Sequence, residues 1–583
     1  MTAPASVTAA SADLGTYKNL QSEFVVVVLA ATVGTRLYPL TDASSVGIPK
    51  HLLPVAGVPI LKRQLHQLEK SGFTECVVAI SHEDQATIDF FKREIISQDC
   101  EELEVDTNGV EGDDGNASVC LRLQVANTAN VTVVRLGEEV DGSVGAITQI
   151  ETLNVVPRQS HIMIIPGDLV LFDGLVEDGE EADRSLADLA QTHRQAQTSE
   201  NPAACTFLLS DVGEQDENGI PLKESSKKKK GSYAREEDDI EYIALSFPER
   251  KMNGYPDSPR VIWKQSKLEA EDDKDMTGQT PKLVLPKPRL RLGQKTTVRT
   301  DWTDVHVYVL SPWVRMLLLV RNNAVDSNNE SQQTQPQEGP ASLISMADDV
   351  LPLLITRQFL SIEETFGSKM EPAQVEDLMR QLSRPTRADA REAVATPPQP
   401  SPQPISQSTG ATVSISSNNP SASAVSTRAS QGYSVLAHVQ KSAFRSSTIP
   451  AFIFASKEMI SKAMAAGNNG RELLLLPPNS NIRHKFQTVI LPDTTVGEKV
   501  TFKSTVVGRN CKLGTKCRLN NVILLDNVTL GDQVSLQNTV VGQGAVLGDN
   551  CSLNDCQIAP GKKILSGTKA KGEVFTDDAG FEE

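Results

Sequence analysis

The chain has 583 residues, with 57 Lys and Arg against 74 Asp and Glu, and a formal net charge of −17. That length exceeds what one hydrophobic core uses, so two or three domains are expected. The acidic balance excludes general nucleic-acid binding, which needs a basic surface. No apolar run approaches the roughly 20 residues that cross a bilayer. Eight cysteines are scattered without close metal-type pairing, which fits a reducing, cytosolic home, and no basic stretch followed by an apolar one marks a signal peptide.

Residues 1–22 are small and polar and read as a disordered tail. Phe24 to Ala31 is an unbroken, Val-rich apolar run, the pattern of a buried parallel strand. A turn then brings Thr32, Gly34, Thr35 and Arg36 to its carboxyl end, where open α/β sheets bind ligands. Lys50 follows, and a helix is predicted from Pro59, with Ile60, Leu61, Leu65 and Leu68 on one apolar face and Gly72 at its end. Cys76–Ile80 completes a βαβ unit.

Glu101–Asn116 reads as an acidic insertion, Leu121–Val125 and Val131–Leu136 as strands. Val144, Gly145 and Ala146 open a helix. His161–Asp168 is a second buried strand ending in Gly167-Asp168. Thr206–Ser210 is a strand, 211–240 a charged insertion carrying Lys227–Lys230, and Tyr242–Phe247 with Arg260–Lys264 a strand pair. Asp304–Leu310 alternates and predicts a half-buried strand, on which His306 reads as structural. Leu343–Phe359 has helical spacing, with a kink expected at Pro352. The Pro-, Ser- and Gln-rich stretch 371–432 reads as a disordered linker, and 433–485 as a connecting segment.

From Ile490 a strict repeat appears. Large apolar residues stand at Ile490, Val496, Phe502, Val507, Leu513, Leu519, Leu524, Leu530, Leu536, Val541, Leu547, Leu553 and Ile558, in steps of six, six and five. Three short sides per coil predict a β-helix of hexapeptide repeats over 486–575. Gly497, Gly508, Gly514, Gly531, Gly542 and Gly548 each follow an apolar position and are expected at corners that need a permissive backbone. The spacing of Cys511 and Cys517 within the coils reads as packing rather than zinc.

The loop resembles the signature of the sugar-phosphate nucleotidyltransferase superfamily, roughly L-A-G-G-x-G-T-R-L-x-P-L-T and then P-K-P-x-x-P-V. Leu29, Ala30, Gly34, Thr35, Arg36, Leu37, Pro39, Leu40, Thr41, Pro49, Lys50, Pro54 and Val55 match. Ala31 and Thr32 replace its paired glycines, and His51 replaces a proline. Asp168 matches the family's magnesium-binding Asp. The family's V-x-E-K-P segment, whose Lys grips a sugar phosphate, is absent around Lys264, and the Thr of its G-T-A segment is missing beside Gly145.

The resemblance implies an α/β fold: a Rossmann-type nucleotidyltransferase-like domain, over 23–370, followed by a left-handed β-helix. Two classes share that layout: the sugar-nucleotide pyrophosphorylases, and the gamma and epsilon subunits of eukaryotic translation initiation factor 2B. The altered loop, the D-x-H-x-Y strand and SLISMADDVLPLLITRQF are similar to the gamma type. The acid-rich helical region that the epsilon type carries after its coils is not expected here.

That resemblance implies a non-catalytic subunit of the guanine-nucleotide exchange factor for initiation factor 2. Its implied partners are the epsilon subunit, the alpha, beta and delta subunits in a decamer, and initiation factor 2 bound to GDP. Gly34, Arg36, Lys50 and Asp168 are then expected to line a vestigial nucleotide pocket, with no catalytic residue, cofactor or metal. The alternative is a nucleotidyltransferase similar to mannose-1-phosphate guanylyltransferase.

Overall fold

A computed structural model describes residues 23–94, 118–172, 185–211, 240–247, 258–267, 295–329, 343–366, 432–465 and 474–576, with short interruptions, and the pair Glu102–Leu103. The expected tail 1–22, the insertion Glu101–Asn116 apart from Glu102–Leu103, the insertion 211–240 with Lys227–Lys230 apart from its two end residues, and nearly all of the linker 371–432 lie outside the described residues.

The strands of the first part are β1 (Phe24–Leu29), β2 (Pro54–Val55), β3 (Val58–Pro59), β4 (Glu75–Ile80), β5 (Glu102–Leu103), β6 (Ser118–Val125), β7 (Ala129–Arg135) and β8 (His161–Pro166). They continue as β9 (Leu169–Leu171), β10 (Ala203–Asp211), β11 (Glu241–Phe247), β12 (Arg260–Ser266), β13 (Lys295–Arg299), β14 (Trp302–Leu310), β15 (Ser434–Gln440) and β16 (Ala443–Arg445). The helices are α1 (Ile60–Lys70), α2 (Gln85–Glu94), α3 (Gly142–Thr152), α4 (Ser185–Ala196), α5 (Pro312–Asn329), α6 (Leu351–Arg357), α7 (Ile362–Phe366) and α8 (Ile449–Ala465).

Twelve strands form one sheet in the order β13-β11-β12-β15-β10-β14-β8-β1-β4-β7-β6-β5. β8, β1, β4 and β7 are parallel neighbours, as the βαβ pattern requires. β1 is apolar throughout because both its faces are covered. Val25 and Val27 enter one buried cluster, and Phe24, Val26 and Val28 the other.

Three expectations need correction. Segment 433–485 does more than connect: β15 lies between β10 and β12, inside the main sheet. Nothing local marks a strand whose partners lie more than 150 residues away. Second, β14 is buried on both faces, not one: Val305, Val307 and Val309 enter one cluster, Tyr308 and Leu310 the other. Third, Pro352 does not kink a helix. A π-turn over Met346–Val350 leads into α6, and Pro352 stands in its first turn, where a missing N–H costs nothing.

The C-terminal part is a left-handed β-helix with three faces of seven, five and five strands, parallel throughout except where Asn481–Arg483 pairs antiparallel with Thr488–Ile490. Each strand stacks on the one 17 residues on, as Phe502 on Leu519 and Leu519 on Leu536. All the predicted apolar positions are buried except Val496, at 37% exposure on an early coil. Cys511 and Cys517 are buried in this core.

The glycines have a different role from the one expected. None of the six has a positive φ; the left-handed corners fall instead at residues such as Asn510, Asn527 and Asn538. Those side chains form ladders, Asn510 Nδ2 donating to Asn527 Oδ1 at 2.8 Å. Gly514 is required by close approach: a Cβ there would lie 2.3 Å from the carbonyl oxygen of Gly531 on the next coil.

The two parts share a buried cluster. Leu37, Leu40 and Val55 from the front, Phe444 and Phe452 from the middle, and Val489, Leu491 and Ile523 from the coils all belong to it. Arg63 on α1 donates to the carbonyl oxygens of Val55 and Leu474, and Glu94 meets both Lys62 and Arg509.

Two predictions follow from packing and burial. Gly514→Ala should destabilise the β-helix by about 3 kcal/mol, because backbone must move. Gly544→Ala, with φ of 70° but open space around it, should cost only about 1 kcal/mol; denaturant titration of both variants separates clash from conformation. The second concerns His161, whose Nδ1 lies 3.1 Å from His193 Nε2. Burial first, then Arg315, lowers the His161 pKa from 6.5 to about 4, and burial and His161 lower that of His193. The unfolded chain therefore binds protons more readily, and stability should fall as pH drops from 6.5 to about 4. Thermal melts across that range should show a shallower fall in His161→Gln.

Candidate functional site

β1 and β8 run side by side, and their carboxyl ends deliver the two halves of the site. The Gly167 N–H donates to the Leu29 oxygen at 2.9 Å. Gly34 opens a 3-10 turn, Thr35–Leu37, and its carbonyl accepts from Thr41 Oγ1 at 2.6 Å. Lys50 opens a second turn and packs beside Gly34. A Cβ at Gly167 would lie 3.1 Å from that of His51. Gly34, Lys50 and Asp168 therefore lie close together.

Arg36 differs. It is exposed on its turn, whereas Lys50 and Asp168 are buried and paired. Ala31 packs partly against the core, and Thr32 is exposed. Side chains thus stand where the resemblance has glycines, and a backbone approach to phosphate is hindered.

Asp168 is 1% exposed. Arg445 holds both its oxygens, Nε to Oδ1 at 3.2 Å and Nη2 to Oδ2 at 3.0 Å. Lys50 Nζ stands 3.6 Å from Oδ2. Burial alone would raise the Asp168 carboxyl, but the charges of Arg445 and Lys50 outweigh it and hold it well below the usual range. Burial also lowers the Lys50 ammonium; Asp168 opposes this and Arg445 adds to it.

A second polar group lies alongside. Lys264 on β12 is clamped between Glu241 Oε1 at 2.8 Å and Asp304 Oδ2 at 3.0 Å. Tyr308 Oη donates to Asp304 Oδ2 at 3.0 Å, and the His306 N–H to Oδ1 at 2.7 Å. His306 has φ of 59°, where the β10–β14 register slips at a bulge between Phe207 and Leu209. Bulges re-aim side chains in this way. Burial, then Arg445, lowers the His306 pKa to about 3, with Asp304, Lys264 and Asp168 also in range. The imidazole is thereby held neutral within electrostatic reach of both charged groups.

The nucleotidyltransferase resemblance implies magnesium at Asp168. The residues present do not fit it. A hard cation needs free carboxylate oxygen, and both oxygens here already face a guanidinium or an ammonium. Among the described residues, no group of three or more His, Cys, Asp or Glu is placed to hold a metal. Arg445 and Glu241 escaped the sequence reading. Arg445 lies 277 residues from Asp168, and no local pattern marks either one.

Comparison with known proteins agrees with this architecture. Residues 25–221 match the family model for nucleotidyl transferases, and 476–569 the model described as the left-handed β-helix domain of eIF2B subunit epsilon. The translation initiation factor eIF2B subunit gamma of Dictyostelium discoideum is 24% identical over 306 residues, 51% of this chain and 52% of that protein. The gamma subunit of Schizosaccharomyces pombe is 37% identical over 76 residues, 13% of this chain and 16% of that protein. The bifunctional protein GlmU of Methanococcus aeolicus is 35% identical over 83 residues, 14% and 19%. The chain thus spans about half the length, or less, of the curated relatives it matches. It joins a nucleotidyltransferase domain to a left-handed β-helix.

Removing the Lys264 charge should leave Glu241 and Asp304 buried and unpaired. Lys264→Met is expected to cost about 3–5 kcal/mol, read by denaturant unfolding. Glu241→Gln in that background should recover part of the loss.

Proposed function

We propose that this chain is a non-catalytic, gamma-type subunit of the guanine-nucleotide exchange factor for initiation factor 2. In this reading it works in the cytosol beside an epsilon-type subunit, with alpha, beta and delta subunits in a decamer. The complex binds initiation factor 2 with GDP and promotes GDP release. The nucleotidyltransferase domain serves assembly and docking.

One observation carries the non-catalytic part: the buried charges of the pocket neutralise each other. Lys50 and Arg445 face Asp168, and Lys264 faces Glu241 and Asp304. Catalysis of phosphoryl or nucleotidyl transfer needs such groups turned toward the substrate. The similarity to the gamma subunits supports the assembly part. No described helix is long and apolar enough to cross a membrane.

A second reading is a sugar-phosphate nucleotidyltransferase. What favours it is the similarity to the UTP–glucose-1-phosphate uridylyltransferase of Mycoplasma pneumoniae, 37% identical over 70 residues.

Native mass measurement of the protein isolated from its own cells separates the two. The expected result is a hetero-oligomer containing a second chain with the same two-part layout. Copies of this chain alone, releasing pyrophosphate from a nucleoside triphosphate and a sugar phosphate, would overturn the proposal. Arg36→Ala, an exposed substitution, should change exchange by less than about twofold.

A further inference from the structure

The cation that Asp168 holds comes from its own chain. Arg445 reaches it from β16, which pairs in register with β9: Ala443 opposite Leu171, Phe444 opposite Val170, Arg445 opposite Leu169. The backbone is fixed on both sides of the arginine. The Ser446 N–H donates to the Asp168 carbonyl oxygen at 2.8 Å, and Ser210 Oγ donates to that of Ala443. On α1, Gln64 Nε2 donates to the oxygens of Pro166 and Leu169, pinning the turn that presents Asp168.

A two-pronged guanidinium gives both carboxylate oxygens a donor. A divalent ion would need those same oxygens as inner ligands. The neighbouring Phe444 enters the buried cluster that includes Phe452 on α8 and Val489 and Leu491 on the coils. One short strand therefore touches the pocket with one residue and the inter-domain core with the next.

We propose that Arg445 is a built-in cation that closes Asp168 to divalent metal and, through Phe444, ties that closure to the seating of α8 and the β-helix. Metal and Arg445 compete for one pair of oxygens, so metal enters only where the guanidinium leaves. The inference rests on the reading of the pocket as non-catalytic, and not on the assignment of partners.

The test is Mn²⁺ binding to the full chain in its native assembly, followed by the loss of the free-ion electron paramagnetic resonance signal. Arg445→Met keeps the side-chain bulk and removes the charge. It should bind one Mn²⁺ more than the wild type, with that site at least about tenfold tighter than any wild-type binding at Asp168. Arg445→Met with Asp168→Asn should lose the extra ion, and Arg445→Lys should stay at the wild-type count. Equal counts in wild type and Arg445→Met overturn the proposal, as does an extra ion that survives Asp168→Asn.

Should Arg445→Met fail to fold, the near-isosteric Asp168→Asn alone decides. It should leave the wild-type Mn²⁺ count unchanged, and losing an ion would show that metal already reaches Asp168. A negative metal result leaves the assembly measurement untouched, and a homo-oligomeric mass leaves the Mn²⁺ result standing, so the two readings fail separately.

Discussion

A carboxylate as deeply buried as Asp168 has to be neutralised, since an unpaired buried charge is far more costly than a paired one. Here the neutralising charge is Arg445, carried on the far side of the segment 371–432. Satisfying Asp168 therefore requires distant parts of the chain to meet. β15 has to enter the sheet between β10 and β12, and β16 has to align on β9. The polar requirement of one side chain and the topology of the sheet are met together.

The second charged group repeats this logic across three strands. Lys264 on β12 joins Glu241 on β11 to Asp304 on β14. The bulge that leaves His306 left-handed lets its N–H turn back onto Asp304. In a nucleotidyltransferase scaffold, this is where ligand chemistry would sit. In this chain the same polarity binds strands to one another, and Arg36 stays at the exposed rim.

The β-helix supplies a regular body behind that sheet. Its coils approach so closely that glycine is needed beside the neighbouring backbone, and its corners are held by stacked Asn side chains. The buried cluster through Phe444, Phe452 and Leu491 fastens it to the front domain. Arg63 and Glu94 add polar links on either side. The pocket and the coils are consequently separated by one short strand and one helix.

The parallel strands β1, β4 and β8, the loop between them and the whole prism were legible in the residues. Each rests on a local period: a continuous apolar run for a strand covered on both faces, and steps of six, six and five for a three-sided coil. The loop motif pointed to Gly34 and Lys50, and the Gly-Asp at the end of a second buried strand pointed to Asp168, each through the family resemblance. Other features were not. Alternation in Asp304–Leu310 suggested one wet face, but the second layer of the fold covers it. Glycines after each apolar position suggested strained corners, whereas they mark contact with the next coil, which depends on coil spacing. The sequence by itself determined which segments bury and with what period, because burial is written in the spacing of apolar side chains. Only the tertiary structure decided that β15 joins the main sheet and that Arg445 holds Asp168. Strand partners and ion partners depend on which edges and charges remain open once the rest has packed, and no local pattern encodes that.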